Sequence, residues 1–363
     1  MLVPEKESYI MGLLGRNREG SELMFKRILV PLDGSALAEK ALPVAARLAR
    51  ASGGSVILLR VVSPPVEYAY GAAYMLYTPM NVLEEVMEAD QADARRYLQG
   101  VAASHVLEGV HVQLEVHMGL TVPVIFSIID SQRIDLIVMS SHGRTGFKRW
   151  LLGSVAQKVA RHSPVPVLLL REGEAMATGL RPYVERPLRV LVPLDGSLLA
   201  KAALLPAIHV IAALAAPGQG AIHLVRVVKL DTLPGEVLDP EDKEHLLHRA
   251  KTYLQSVVGH LREGLAAELY VAVTWSVALD RDAATGIIRV AENGEDAQGA
   301  GVFGGCNVIA LSTHGRGGLQ RWAMGSVAER VLSGTRLPVL IVQPQQVESE
   351  ISEANIRQAE VWR

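Results

Sequence analysis

Short apolar runs alternate with longer segments of helical period along most of this chain. Arg27–Pro31 is a brief β-branched and apolar run, broken by Asp33-Gly34-Ser35. Ala36–Ala51 has helical periodicity and stops at Ser52-Gly53-Gly54, a stop signal of the expected kind. The pattern then predicts strands at Val56–Val62, Val110–Val116, Asp135–Met139 and Val165–Leu170. Helices are predicted between them at Asn81–Leu107, Val122–Gln132 and Gly153–His162. The run from Ile134 to Met139 is apolar at nearly every position, as in a strand of a parallel sheet covered on both faces. Strands alternating with helices predict an α/β fold: a parallel sheet with helices on both faces.

The pattern occurs twice. Ile28–Ser35 reads ILVPLDGS and Val190–Ser197 reads VLVPLDGS, 162 residues apart. Ser141–Leu170 and Thr313–Val342 share 14 of 30 positions without a gap, at an offset of 172. Repeats of this length are whole domains. The second copy predicts strands at Arg189–Pro193, Ala221–Val228, Leu269–Val273, Val308–Leu311 and Pro338–Val342. The change of offset marks a net insertion, placed at the Gly-rich Glu292–Gly305. The expected organisation is an extension over 1–23, domains over 24–172 and 188–344, a linker over 173–187 and a polar tail over 345–363. Each domain is expected to be doubly wound, of the Rossmann-like or flavodoxin-like kind, with five parallel strands. The copies differ in places. Asn307 stands where copy one has Asp135, and Ala278 is placed opposite Gly119. Copy one has its own insertion, Tyr68–Met80, holding four tyrosines.

Composition narrows the function. At 363 residues two domains are the default. With 36 basic and 38 acidic residues the formal charge is −2, so no general attraction to nucleic acid or an anionic membrane is expected. No apolar run reaches the length of a membrane span, and no signal peptide is expected. The single cysteine, Cys306, is read as a small buried hydrophobe in a protein of the reducing cytoplasm.

In an open parallel sheet, ligands bind beyond the carboxyl ends of the strands where strand order reverses. Two segments stand there: Pro31-Leu32-Asp33-Gly34-Ser35 after the first strand, and Ser140 through Gly153-Ser154 after the fourth. Gly143 and Gly146 permit positive φ and a close backbone approach. Gly153-Ser154-Val155 leads straight into a helix, whose free N–H groups favour an anion. Two readings stand for Ser154, a phosphate donor or a helix cap. Two stand for Asp33, an acceptor for an adenine amino group or sugar hydroxyl, or a cap and turn residue. No P-loop lysine motif and no GxGxxG after the first strand is present, which excludes those nucleotide-binding classes.

VPLDGS followed by SHGRTGFKRWLLGS resembles the universal stress protein family, and the resemblance covers nearly the whole chain twice. Nucleotide-binding members of that family carry G-x2-G-x9-G-[ST]. Copy one reads Ser140-x2-Gly143-x9-Gly153-Ser154 and copy two Ser312-x2-Gly315-x9-Gly325-Ser326, with serine for the first glycine in both. The resemblance implies that Asp33 and Asp195, with Pro31, Leu32, Pro193 and Leu194, meet the adenosine end, and that Val61 and Val227 line an adenine slot. It further implies that Gly143, Arg144, Gly153, Ser154 and Val155, with Gly315, Arg316, Gly325, Ser326 and Val327, hold ribose and phosphates. The implied ligand is ATP or another adenine nucleotide, with or without Mg2+, and the implied role is regulation in a stress response through a protein partner. Family dimers imply pairing of Val165–Leu170 with Leu337–Val342, a pseudo-dimer within one chain that is also able to form a homodimer.

Motif positions offer no clustered carboxylates for magnesium and no paired general base, so efficient catalysis is not expected. The alternatives are a slow ATPase or phosphotransferase, and a nucleotide-free scaffold in which Ser140 and Ser312 mark a lost site.

Overall fold

A computed structural model describes residues 24–63, 80–142, 152–171, 187–229, 239–298, 301–302, 304–314 and 324–344. The chain divides into two compact units, one spanning Phe25–Glu172 and the other containing the chain from Gly173 onward.

The first unit is built from β1 (Arg27–Pro31), α1 (Ala36–Glu39), α2 (Leu42–Ser52), β2 (Ser55–Val62), α3 (Met80–Ala102), β3 (His111–Met118), α4 (Thr121–Ser131), β4 (Leu136–Ser140), α5 (Ser154–His162) and β5 (Val167–Leu170). Its strands lie in the order β3-β2-β1-β4-β5. All are parallel; Val30 pairs with Leu58 on one side of β1 and Leu29 with Ile137 on the other. The chain therefore winds from β1 outward to β3, then crosses back to β4, and strand order reverses between β1 and β4. Ile28, Leu29 and Val30 are fully buried, as are Leu136, Ile137 and Val138. Helix α2 packs on β1 and β2, and α3 on β2 and β3, while α4 packs against β2 and α5.

The second unit repeats this arrangement with β6 (Leu188–Pro193), α6 (Leu198–Lys201), α7 (Leu204–Leu214), β7 (Gly220–Lys229), α8 (Pro240–Glu263), α9 (Leu265–Glu268), β8 (Val271–Asp280) and α10 (Ala283–Asn293). The short β9 (Asp296–Ala297) and β10 (Gly301–Val302) follow, then β11 (Val308–Ser312), α11 (Ser326–Gly334) and β12 (Val339–Val342). The five long-range strands run in the order β12-β11-β6-β7-β8. Two neighbours on β7 show that helices cover both faces. Arg226 reaches the Tyr253 ring on α8, whereas Val227 touches the position of Gly286 on α10, and successive strand residues face opposite ways.

Several boundaries differ from the sequence pattern. The helix expected over Ala36–Ala51 is two helices, because Pro43 has no N–H to continue the ladder. Lys40 and Ala41 instead donate to Leu37 and Ala38, closing a tighter turn. The second copy breaks in the same way before Pro206. The helix expected to reach Leu107 ends at Ala102, and His105–Leu107 is a separate 3₁₀ turn. Strand β8 runs over Val271–Asp280 rather than Leu269–Val273, since it pairs with the whole of β7. Tertiary pairing sets its length, a term that local periodicity does not contain. The register also corrects one correspondence: Val61 pairs with His117 and Val227 with Ala278, so Ala278 matches His117 rather than Gly119.

The Gly-rich insertion folds back on the end of α10. β9 and β10 form a two-stranded antiparallel pair, and the Cys306 N–H donates to the Ala291 carbonyl at 2.6 Å. Glu292, at the end of α10, accepts from Thr335 Oγ1 at 2.9 Å and from the Arg336 N–H at 2.8 Å. Cys306 is buried, and burial pushes its thiol up to about 12, so it is an inert packing residue. The extension, the linker, most of the Tyr68–Met80 insertion and the tail lie outside the described residues.

One contact ties β1 to β4 at the end away from the motifs. The Asp135 carboxylate accepts from the backbone N–H of Lys26 at 2.7 Å and of Arg27 at 3.0 Å. Asn307 makes the equivalent bond to the Arg189 N–H at 2.8 Å in the second unit. Burial raises Asp135 from 3.8 to about 6, against the lowering by those backbone donors. The folded state then holds the Asp135 proton more tightly than the unfolded chain does. The stability this confers is complete below the unfolded value and is lost as pH rises through the folded one. In Asp135→Asn, stability relative to the parent is expected to rise between pH 4 and 6 and to level off above, as read from denaturation midpoints across that range. A flat difference would show that Asp135 does not titrate on folding. Packing yields a second expectation. A Cβ on Gly54 would meet the Lys26 carbonyl oxygen at 2.6 Å, while one on Gly100 in α3 meets nothing within 4 Å. Gly54→Ala should destabilise by roughly 1–3 kcal/mol through overpacking, and Gly100→Ala should stabilise by up to about 1 kcal/mol, both measured by urea denaturation.

Candidate functional site

The parallel register brings the carboxyl ends of β1, β2 and β4 to one edge of the first sheet. Pro31 is opposite Leu59, so Leu32 and Asp33 emerge beside Arg60 and Val61. The Leu32 N–H extends the ladder to the Leu59 carbonyl at 2.8 Å. Asp33 then turns the chain. Its Oδ1 accepts from the Ser35 N–H at 3.0 Å and from Ser35 Oγ at 2.6 Å, and Ser35 Oγ caps α1 by accepting from the Ala38 N–H. Gly34 has φ of 84°, which a side chain rarely adopts. The second unit repeats each contact. Asp195 Oδ1 accepts from the Ser197 N–H at 2.8 Å and from Ser197 Oγ at 2.6 Å, and Gly196 has φ of 92°. One oxygen of each aspartate is thus committed to local turn geometry.

The segment after β4 begins with Ser140, whose hydroxyl donates to the His142 carbonyl at 2.6 Å and is buried. This serine spends its hydroxyl on the local turn. In the second unit Ser312 Oγ is 3.5 Å from the His314 N–H, a looser arrangement. The following histidines bond their neighbours: His142 Nδ1 lies 3.1 Å from Ser141 Oγ, and His314 Nδ1 2.9 Å from Thr313 Oγ1. Gly143, Arg144, Gly315 and Arg316 lie outside the described residues.

Gly153 lies against the residue that follows β4. Its N–H donates to the Ser141 carbonyl at 2.9 Å, and Gly325 does the same to Thr313 at 2.8 Å. The start of α5 is therefore held against the end of β4, and the start of α11 against β11. Gly153 is the cap residue, so Ser154 is the first helical residue and not the cap. No side chain caps either helix. The first helical bonds run from the Gln157 N–H to Gly153 and from Glu329 to Gly325. The N–H groups of Ser154, Val155 and Ala156 precede that bond and point out of the helix start, as do those of Ser326, Val327 and Ala328. Such a terminus carries partial positive charge. Gly153 keeps an ordinary backbone (φ −59°), so its importance is spatial. A Cβ there would meet the Ser141 carbonyl oxygen at 3.4 Å, and one at Gly325 the Thr313 oxygen at 3.2 Å.

Sequence reasoning missed one recurrent group. Arg60 sits 5.9 Å from the Tyr97 ring in the first unit, and Arg226 sits 5.1 Å from the Tyr253 ring in the second. Both arginines flank the positive-φ glycine of the β1 or β6 turn, and Arg60 donates to the Leu32 carbonyl at 3.3 Å. The recurrence of Arg-Val-Val at 60–62 and 226–228 was the available signal. Val61 and Val227 stand beside these arginines on the opposite face, half-buried.

Among the described residues, no group of three or more His, Cys, Asp or Glu is placed to hold a metal ion, and no helix is long and apolar enough to cross a membrane.

The universal stress protein family profile matches residues 24–171 and 188–343. A universal stress protein of Mycolicibacterium smegmatis is 26% identical over 326 residues, covering 88% of this chain and 97% of its own. One from Thermus aquaticus is 32% identical over 148 residues, covering 41% of this chain and all of its own. Among solved structures, a protein of unknown function from Pseudomonas aeruginosa superposes with a TM-score of 0.54 at 17% identity, covering 92% of this chain and 98% of its own. A universal stress protein from Archaeoglobus fulgidus gives 0.53 at 20% identity, with coverages of 88% and 98%. At these identities the structures support the fold alone. The double match to the family profile covers most of the sequence, and the chain belongs to the universal stress protein family.

Proposed function

We propose that the chain binds an adenine nucleotide, ATP in the first instance, and that the nucleotide is a regulatory ligand in a stress response rather than a substrate. The observation that carries this reading is the uncapped start of α5 held against the end of β4, repeated at α11 and β11. Three N–H groups and a helix dipole there suit a phosphate. Ser154 and Ser326 stand at that start, each able to add a hydroxyl donor. In this reading Asp33 and Asp195, one strand away, meet the adenosine end with the backbone of Pro31, Leu32, Pro193 and Leu194. Val61 and Val227 offer apolar walls to the base. Gly143, Arg144, Gly315 and Arg316 join the phosphate loops by motif position.

Bound ATP supplies charge and a rigid anchor. The chain's own groups orient it and offset its charge through backbone donors. A ligand that binds one arrangement of these loops better than another shifts the population a protein partner meets. The compartment that fits this reading is the cytoplasm, where ATP is abundant and a lone thiol stays reduced.

The test is nucleotide released by denaturation from purified protein, identified and counted per chain. One or two adenine nucleotides per chain are expected, and none from the Gly153→Arg, Gly325→Arg double variant. Ser154→Ala, Ser326→Ala serves as the mild version and should retain the fold with weaker binding. Added ATP should raise the thermal midpoint of the parent, by about 2.7 kcal/mol of stability at a hundredfold excess over the dissociation constant. No released nucleotide together with no stabilisation by ATP would overturn the proposal.

A further inference from the structure

Strand β3 is the outermost strand of the first unit, and β8 is its counterpart in the second. Val61 pairs with His117 and Val227 with Ala278, which aligns the two strands at an offset of 161 residues, so Leu114 matches Trp275. In a parallel ladder each residue turns its N–H and C=O to the same side, and that side alternates along the strand. The Gly119 N–H reaches inward to the Val62 carbonyl at 3.0 Å, so Val112, Leu114 and Val116 face outward.

In β8 the matching outward carbonyls are occupied. Val273 accepts from the Arg262 guanidinium at 2.8 Å, and Trp275 from the Gln298 N–H at 2.9 Å. Trp275 is 7% exposed. The first unit has neither cover. At the offset of 156 that aligns Tyr97 with Tyr253, Arg262 becomes Val106, and the insertion that carries Gln298 has no counterpart. Among the described residues, the outward backbone groups of Val112, Leu114 and Val116 have no hydrogen-bond partner, and Leu114 is 36% exposed. An edge with unspent donors and acceptors is a template for another strand.

The sequence of β3 says which strand. His111–His117 reads HVQLEVH, the same in both directions except that Gln113 mirrors Glu115. An antiparallel pair with its two-fold axis at Leu114 sets Leu114 against Leu114 of the other copy, Val112 against Val116, and His111 against His117. The outward residues then fall in hydrogen-bonded pairs, each exchanging its N–H and its C=O. The one break in the palindrome favours the pairing, because Glu115 meets Gln113 rather than a second carboxylate, and like charges directly opposite destabilise a sheet. Glu115 is also held within its own unit by Gln113, Gln132 and His117, so pairing leaves no charge uncompensated. Self-complementarity of this kind is what a two-fold interface requires.

We propose that β3 is a dimer interface: two copies of this chain join edge to edge, β3 antiparallel to β3, about a two-fold axis at Leu114. The occupant is a second copy because the strand is its own complement. The interface uses none of the residues proposed for nucleotide binding, so it stands or falls separately.

The test is sedimentation of the full chain over a range of concentrations. The parent is expected to sediment as a dimer. Leu114→Lys, which places a charge on an exposed edge position, should lose the dimer and keep its far-ultraviolet circular dichroism. Leu114→Pro is the second variant: it removes an N–H that the partner strand needs and that the ladder to β2 does not use. Register is read by disulfide formation under mild oxidation, with the parent and its buried Cys306 as background. Leu114→Cys should cross-link two chains, since equivalent residues meet at the axis. Val112→Cys should not, because its two copies lie about 13 Å apart along the strands. A monomeric parent, as when a segment of the same chain covers β3, would overturn the proposal. So would a dimer that survives both Leu114→Lys and Leu114→Pro, or cross-linking no greater at 114 than at 112.

Discussion

Everything at the carboxyl edge of each unit's strands depends on the parallel pairing of β1 with β4, and of β6 with β11. These pairs sit where strand order reverses, and each is pinned at its far end by one side chain. Asp135 accepts two backbone N–H groups from the start of β1, and Asn307 accepts one from the start of β6. Shifting this register would move the end of β4 relative to Asp33 and separate the two motif segments. The strand interiors resist such a shift because Ile28 to Val30 and Leu136 to Val138 are buried completely, and a one-residue slip would exchange the faces of every side chain. The net stability of a domain is only a small remainder of large terms, so a pin that orders two strands at once matters more than its individual bonds suggest.

Asp135 and Asn307 also show two chemical solutions to one geometric demand. A carboxylate accepts two donors and carries a desolvation cost that raises its proton affinity. An amide accepts through one oxygen and brings no charge to bury. Duplication preserved the geometry and left the chemistry free to change. The same holds at the turns. Asp33 and Asp195 make matching bonds to Ser35 and Ser197, and an arginine meets both Tyr97 and Tyr253, yet Tyr97 donates to Glu39 where Tyr253 has Lys201 beside its ring.

Much of the architecture was legible from the order of residues. Apolar runs of strand length mark β1, β2, β4 and β5 within one or two residues, because strands buried on both faces must be apolar throughout. The repeat at 162 and 172 residues exposed the duplication, and the Ser140–Ser154 spacing identified the segment that starts α5. The breaks before Pro43 and Pro206 were not read, because the helical periodicity of the surrounding residues runs through them.

What only the folded chain decided follows from contacts between residues distant in sequence. The length of β8 is set by β7, which has ten residues to pair. Gly153 is needed for its approach to the Ser141 carbonyl and not for positive φ, and Ser140 spends its hydroxyl on His142. Neither choice is visible in a motif, which records identity and spacing but not direction. The grouping of Lys201 and Arg226 about the Tyr253 ring draws on α6, β7 and α8, three elements that are separate in sequence and meet only in the folded unit. Sequence alone determined that two α/β domains would form and, β8 apart, where their strands would end to within one or two residues. Tertiary packing decided which side chains those ends would bring face to face, because charge and distance act through space while periodicity acts along the chain.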